Sequence, residues 1–274
     1  MKPKQIFITG ATDGIGQETA RQLLTLGHSV VIHGRSAEKI AKTRTYLAER
    51  TGVASETIHS VQADLSDLQA VQSMGKQLAS QFPDLQVLIL NAGIFATAPE
   101  LSQQGFELSW AVNHLANFVL VDWLLGSLRQ QQSARIITLS SIAHTRGQID
   151  FGNLRLEKPF NGYRVYAQSK LANVLFANTL ARQLAGSNIT SNSVHPGVIT
   201  TKLLRSGFGA TGDSVAEGAR TSVYLADSAE VAGVSGKYFV NCMTHPTAPL
   251  ANDLALQDLL WTASHTATRP FLTS

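Results

Sequence analysis

Apolar positions in this chain fall into two alternating patterns: short continuous runs, and longer stretches with one greasy face. Gln5–Thr9, Ser29–His33, Thr57–Gln62, Val87–Leu90, Arg135–Leu139, Ile189–His195 and Lys237–Val240 read as strands. Val87–Leu90 is apolar at every residue, the mark of a strand covered on both faces in a parallel sheet. Between the runs, Ile15–Leu26, Ala37–Arg50, Ser66 to Gln81, Gly105–Arg129, Tyr163–Leu184 and Val215–Ala226 read as helices. Ser36 and Ser66 are placed to cap the second and third of them. Strands alternating with helices predict an α/β fold: one doubly wound parallel sheet of about seven strands with helices on both faces. No repeat, low-complexity tract or linker divides the chain, so residues 1–274 read as a single domain. Irregular segments near 142–162 and 198–212 interrupt the alternation, and a C-terminal extension follows from about 241.

Composition narrows the class. Hydrophobic residues are 44% and charged residues 15% of the chain, which excludes a disordered protein and allows a large core. Lys+Arg number 22 against 19 Asp+Glu, a net charge of +3, and no run of five basic residues occurs, so no nucleic-acid partner is expected. The single cysteine, Cys242, allows neither an internal disulfide nor a cysteine metal site. The 8 histidines contain no His-x-x-x-His pair, so no metal is expected. Leu85–Leu90 and Phe118–Leu125 are the longest apolar runs, far short of the ~20 residues of a membrane span. The first strand begins almost at Met1, so neither a signal segment nor a membrane anchor is expected, and the expected location is cytoplasmic.

The first strand runs into Thr9-Gly10-Ala11-Thr12-Asp13-Gly14-Ile15-Gly16 and then a helix. Glycines at 10, 14 and 16 let the backbone turn tightly against a pyrophosphate, while the helix N-terminus offers free N–H groups and a positive dipole. This is the first turn of a Rossmann-like fold, spaced G-x-x-x-G-x-G, and no Lys-Ser/Thr follows to make it a Walker loop. The second strand ends at His33-Gly34-Arg35-Ser36, where dinucleotide folds meet the adenosine ribose. A carboxylate there would pair with a 2′-hydroxyl; Arg35 instead suits a 2′-phosphate, with Ser36 beside it. NADP(H) is therefore expected over NAD(H). Asp64-Leu65 after the third strand can meet the adenine, or simply form a turn into the next helix.

Further on come Asn91-Ala92-Gly93, Ser140-Ser141, and Tyr166-Ala-Gln-Ser-Lys170 on the long helix. Tyr and Lys four residues apart share one helix face. An ammonium ~5 Å from a phenol, at an effective dielectric of ~20, is worth roughly 3 kcal/mol, or about two pK units toward neutrality. Desolvation of the phenolate opposes this. Tyr163 has Ala167, not lysine, four residues on and reads as a wall of the substrate site. Neighbouring serines at a strand end point oppositely, so only one of Ser140 and Ser141 can face the site. His144 reads as a surface loop residue, His195 as a satisfied strand-end histidine, and Cys242 as a thiol without a catalytic partner.

Taken together, Thr9–Gly16, Asn91–Gly93, Asn113, Ser141, Tyr166-x-x-x-Lys170 and Pro196-Gly197 resemble the short-chain dehydrogenase/reductase family, in order and over nearly the whole chain. The strings Asn113-His-Leu-Ala-Asn-Phe, Ser140-Ser-Ile-Ala-His144, Gln168-Ser-Lys-Leu-Ala-Asn173 and Gly236-Lys-Tyr-Phe239 are most similar to its retinol-dehydrogenase/WW-oxidoreductase branch. The resemblance implies Tyr166 as general acid/base, with Lys170 lowering its pKa and holding the nicotinamide ribose. It implies Ser141 as the partner of the substrate oxygen and Asn113 as part of a proton relay. Asn91, Ala92 and Gly93 would line the cofactor, and Ile199 and Thr201, after Pro196-Gly197, would meet the nicotinamide amide. Ser141 and Tyr166 stand 25 residues apart, wider than in many family members. The expected function is NADP(H)-dependent interconversion of a carbonyl and an alcohol. A small, moderately apolar substrate is expected, and a homodimer is possible through the helices near 105–129 and 163–184. The alternative is a dinucleotide sensor or scaffold without turnover.

Overall fold

The computed structural model describes residues 2–273, without the side chain of Ser206. Its strands are β1 (Gln5–Ile8), β2 (Ser29–Gly34), β3 (His59–Gln62), β4 (Leu85–Leu90), β5 (Ala134–Leu139), β6 (Ile189–His195), β7 (Tyr238–Val240) and β8 (Met243–Thr244). They form one sheet in the order β3-β2-β1-β4-β5-β6-β7-β8. The first seven strands pair parallel. The sheet thus has 8 strands rather than about seven, because β8 adds an antiparallel edge. The β7–β8 turn places Asn241 and Cys242 at φ of 50° and 64°, the left-handed pair that a two-residue hairpin needs.

Successive strand residues point to opposite faces, and both faces are apolar. Phe7, Val31, Leu88 and Ile136 belong to one core. Ile6, Ile8, Val30, Ile32, Val87, Ile89 and Ile137 belong to the other. Truncating any of these to alanine is expected to cost about 2–5 kcal/mol. The second core is covered by α1 (Gly14–Thr25), α2 (Ala37–Thr51) and α8 (Val215–Asp227). The first is covered by α3 (Leu68–Gln81), α4 (Leu108–Trp110), α5 (Ala116–Arg129), α6 (Gly162–Gln183) and α9 (Leu254–Thr268). A short helix, α7 (Lys202–Phe208), lies in the segment expected to be irregular.

Helix ends follow local side-chain chemistry. Asp13 caps α1 and Ser36 caps α2. The cap of α3 is Asp67, which accepts from Gln69 N at 3.0 Å, and not Ser66, whose hydroxyl is held by Asp64 at 2.8 Å. A carboxylate at the positive end of a helix is the stronger cap there. Glu107 starts α4 by accepting from Ser109 N and Trp110 N with its two oxygens. Between α4 and α5, Ala111–Leu115 forms a π-helical turn, and Asn113 sits at its centre. The continuous helix Leu108–Arg129 is long and apolar enough to cross a membrane by length and composition, a feature the run-by-run reading missed; 72% of its apolar window is buried in this fold. The C-terminal extension is an ordered part of the fold. Its helix α9 lies on α5 and α6, the helices through which a homodimer was possible. There Trp261 contacts Phe118 and stacks on Phe176, and Ser264 bonds His114 at 2.7 Å.

Candidate active site

The strand order reverses between β1 and β4, and ligands of such sheets bind in the crevice outside the strand ends at that point. A cleft of about 1250 Å³ opens there. Gly10 and Gly14 take φ of 64° and 53°, which admits few side chains. At Gly16 a Cβ would lie 2.4 Å from Asn91 Nδ2 and from Gly10 O, so α1 can start close to the turn only because glycine stands there. The turn is held from behind. Asn91 Nδ2 donates to Thr9 O at 2.8 Å and Gly10 O at 3.1 Å, and Ala92 N donates to Thr9 Oγ1 at 2.9 Å. Asn91 therefore reaches the site through the backbone it fixes.

His33 is a residue whose role the sequence reading missed. It is buried, its Nδ1 accepts from Gly10 N at 3.0 Å, and Nε2 lies 3.1 Å from Ala63 O, so Nε2 carries the proton. Burial pushes its pKa down to about 4, which keeps the ring neutral. The signal was present: one polar residue closes the apolar run Val30–Ile32 just before Gly34-Arg35. Arg35 lines the cleft with an exposed side chain that makes no hydrogen bond or ion pair among the described residues. Asp64 and Leu65 line it too, although Asp64 Oδ1 is engaged by Ser66 N and Oγ at 2.9 and 2.8 Å, the turn that was the alternative reading. Ser36 spends its hydroxyl on Lys39 N at 3.4 Å and does not line the cleft, a departure from its expected place at the cofactor. Capping is the physical reason, since the orphan N–H groups of α2 need an acceptor.

The other end of the cleft gathers Ser141, Tyr166 and Lys170. Ser140 turns away and donates to Lys170 O at 2.7 Å, which leaves Ser141 facing inward. Ser141 Oγ accepts from Ala143 N at 3.2 Å and stands with the Tyr166 phenol at this end of the cleft. Lys170 is buried, donates to Leu139 O at 3.3 Å, and holds Nζ 5.6 Å from the Tyr166 ring centre. Burial pushes the phenol up to about 12, against the opposing influence of Ser141, and the ammonium down to about 8. The chain itself thus does not bring Tyr166 toward neutrality as the helix spacing suggested, because both groups are shielded from water. Gly93 lies where a Cβ would be 3.1 Å from Lys170 Nζ and 3.5 Å from Asn113 Oδ1. Asn113 does not line the cleft; its amide clamps Ile94 N and O at 2.8 and 3.0 Å and Ser169 Oγ at 2.9 Å.

Thr12, Asp13, Ile15, Ala92, Pro196, Gly197, Ile199 and Thr201 complete the expected lining. Asp13 uses one oxygen on Gly14 N at 2.8 Å and the other on Lys202 of α7 at 2.6 Å. Two histidines depart from expectation. His144 is buried, with Nδ1 2.8 Å from Ser141 O, and Nε2 accepts from Ala248 N at 3.1 Å. It ties the serine loop to the C-terminal segment, which no local pattern in the sequence announces. His195 lines the cleft, but its buried Nδ1 has no hydrogen-bond partner among the described residues, and burial lowers its pKa to about 4. No cluster of three or more metal-ligating side chains occurs among the described residues.

The cleft's strand-end position, glycine turn and Ser–Tyr–Lys group agree with what comparison finds. The profile of the family described as short chain dehydrogenase matches residues 4–209. Retinol dehydrogenase 14 of Homo sapiens is 36% identical over 96% of this chain and 86% of its own length. Short-chain dehydrogenase TIC 32 B, chloroplastic, of Brassica napus is 36% identical over 93% of this chain and 85% of its own. An uncharacterised protein of Mycobacterium paratuberculosis superposes with a TM-score of 0.80 at 28% identity, covering 97% of this chain and 93% of that one. A short chain dehydrogenase of Escherichia coli CFT073, complexed with NADPH, shares the fold at a TM-score of 0.73 and 23% identity, covering 88% and 97%. This chain therefore belongs to the short chain dehydrogenase family, in its retinol dehydrogenase branch, and is an oxidoreductase that uses a nicotinamide dinucleotide.

Proposed function

We propose that this protein is an NADP(H)-dependent oxidoreductase that interconverts a carbonyl and an alcohol, with Tyr166 as the proton-transferring group. The observation that carries the reading is the gathering of Ser141, Tyr166 and Lys170 at one end of a cleft whose other end is the glycine turn. The cradle fits a dinucleotide: Gly10 and Gly14 hold the left-handed turn, Gly16 lets α1 start close against it, and the N-terminal end of α1 lines the cleft. Arg35, exposed and without a hydrogen bond or ion pair from its side chain among the described residues, would hold a 2′-phosphate, and no carboxylate stands at the end of β2 to repel one. Relatives named retinol dehydrogenases support an alcohol or aldehyde as substrate.

When bound, the nicotinamide supplies or accepts the hydride. The chain's own groups handle the oxygen and its proton. Ser141 Oγ is oriented by Ala143 N–H, so its own O–H is free to donate to a carbonyl oxygen or the phenol. Such a fixed donor stabilises charge as it develops on that oxygen. A phenol held up by burial stays protonated at neutral pH, the form that donates to a carbonyl oxygen. Oxidation needs the phenolate, which Lys170 would stabilise from 5.6 Å by about 3 kcal/mol at an effective dielectric of ~20.

The test follows the absorbance of the reduced cofactor with a panel of aldehydes and ketones, NADPH against NADH. Turnover with NADPH preferred is expected. Tight dinucleotide binding with no turnover of any carbonyl or alcohol would instead favour a sensor, and a preference for NADH would overturn the cofactor assignment.

A further inference from the structure

The turn that carries Ser141 is held by parts of the chain remote from it in sequence. Ser141 has extended backbone (φ −160°, ψ 161°) and caps the short helical turn Ile142–Arg146, its Oγ accepting from Ala143 N at 3.2 Å. The turn ends at Gly147, whose N donates to His144 O at 3.1 Å. A Cβ at Gly147 would lie 2.5 Å from Ala167 O, so glycine is what lets the turn close on α6. Ser141 O accepts twice from one residue, from His144 N at 3.1 Å and from the His144 ring, whose Nδ1 is 2.8 Å away. That carbonyl sets ψ of Ser141, and with it the aim of the Ala143 N–H that holds the hydroxyl.

Only one of the two neutral forms of the ring can make this bond. A neutral imidazole carries one proton, and the bond made by one nitrogen decides the state of the other. His144 is buried, and burial lowers its pKa from the ordinary value, so the ring is neutral. Ala248 N donates to Nε2 at 3.1 Å, which places the single proton on Nδ1, facing Ser141 O. With the proton on Nε2, two donors would meet at Ala248 and two acceptors at Ser141. Ala248 is itself anchored. Its carbonyl accepts from Ala251 N at 2.9 Å, and Ala251 O accepts from Asn178 Nδ2 of α6 and Gln257 Nε2 of α9, each at 3.0 Å. Tyr238 of β7 backs the imidazole, with ring centres 4.8 Å apart.

We propose that His144 is a positioning residue for Ser141, and that the C-terminal segment makes it one by setting which ring nitrogen carries the proton. The proposal rests on the oxidoreductase reading, in which Ser141 holds the substrate oxygen. A histidine that merely fastened the C-terminal segment would be indifferent to which of its two bonds was kept. A positioning residue is not. The Nδ1 bond reaches the serine directly, and the Nε2 bond serves to keep the proton at Nδ1.

Two substitutions separate the bonds. An asparagine amide nitrogen takes the place of Nδ1, and a glutamine amide oxygen takes that of Nε2. His144→Asn therefore keeps a donor for Ser141 O and needs nothing from Ala248. His144→Gln keeps an acceptor for Ala248 N and gives Ser141 O no side-chain donor. Each loses one bond, so equal falls in melting temperature are expected. With NADPH and the best substrate of the aldehyde and ketone panel, kcat should fall about 10- to 100-fold in His144→Gln. It should stay near wild type in His144→Asn, and KM for NADPH should hold in both. In a Ser141→Ala background, His144→Gln should cost nothing further. Equal kcat losses in the two variants, or an undiminished loss in the Ser141→Ala background, would overturn the proposal and leave His144 as a fastening. Nitrogen NMR of the wild-type imidazole reads the proton's place without turnover, and a ring protonated at Nε2 overturns the proposal whatever the kinetics. If Ser141→Ala is impaired and His144→Asn matches His144→Gln, the oxidoreductase reading stands and this inference fails. A wild type without turnover, or a Ser141→Ala variant as active as wild type, sinks the reading of the site and this inference with it.

Discussion

On the nucleotide side of the cleft, side chains are spent on fixing backbone: Asn91 on Thr9 and Gly10, Thr9 on Ala92, His33 on Gly10 and Ala63. On the substrate side the lining is itself side chain, with aromatic and aliphatic groups carried by α7 and by the loop after Ser141 and left partly exposed. The difference teaches where each kind of recognition is stored. A pyrophosphate is met by N–H groups that every residue carries, so what must be encoded is the turn and its supports. A substrate is met by shapes that only particular side chains supply, so that half of the site can change without disturbing the first.

The comparison breaks first at Tyr166, which the proposed function makes the proton-transferring group and which belongs to neither wall alone. Tyr166→Phe keeps the ring contacts with Phe95 and Phe208 and removes the proton. Turnover should fall by about 10²- to 10⁴-fold, while NADPH affinity by fluorescence titration stays near wild type. Activity above a few per cent of wild type would assign the proton to another group, Tyr163 being the nearest candidate on α6. Lys170→Met comes next, because Lys170 stands where the two sides join, beside Gly93 and the phenol. Losing about two pK units of phenolate stabilisation should lower turnover about 100-fold. The alkaline limb of alcohol oxidation should move to higher pH, since the base then needs more hydroxide to ionise. A limb left in place would show that the lysine does not tune the tyrosine.

Much of the nucleotide side was legible because its determinants are local. Gly10, Gly14 and Gly16 stand within one turn, Arg35 directly follows β2, and all line the cleft as expected. The seven parallel strands were legible for the same reason, from runs such as Val87–Leu90. The exceptions are competitions that pattern alone does not decide. Asp67 outcompetes Ser66 as a cap, Ser36 is consumed by its own helix, and a two-residue β8 is too short to show a period. On the substrate side the failures are longer in range. His144 looks like a loop residue until Ala248 arrives from the C-terminal segment. Phe208 carries no signal of its own within the 198–212 segment, because Phe95, Tyr163 and Tyr166 come to it from two other segments. Burial likewise reversed the expected shift of Tyr166, since the spacing of Tyr and Lys on a helix says nothing about water.

Arg35→Ala sharpens the comparison on the nucleotide side alone. The loss of one charge-assisted contact should weaken NADPH binding by about 10- to 150-fold and NADH binding little. Equal losses for the two cofactors, measured by titration at fixed salt, would mean that Arg35 reads something both share. Turnover at saturating NADPH should hardly change, in contrast to the two variants above.

The smallest expected effect concerns His33, the support of the glycine turn. Its pKa falls from 6.5 to about 4 in the folded chain, mainly by burial, and a proton on Nδ1 would forfeit the bond from Gly10 N–H. A histidine with a depressed pKa binds fewer protons folded than unfolded. Its contribution to stability is therefore complete above pH 6.5 and lost as the pH falls from there toward about 4. At pH 5 the loss from His33 should be about 2 kcal/mol, since the unfolded ring is then charged and the folded one is not. His195, lowered to about 4, and His114, lowered to about 3, add losses of the same sign over the same range. Urea unfolding of wild type and His33→Phe at pH 7, 6 and 5 isolates the share. The phenyl ring keeps the edge contact with Phe7 but cannot titrate. The variant starts less stable, because Gly10 N–H loses its acceptor, yet its stability should fall less steeply with acid than that of wild type. Parallel slopes would show that His33 takes up no proton on unfolding in this range, and the neutral ring could then not be what holds the turn.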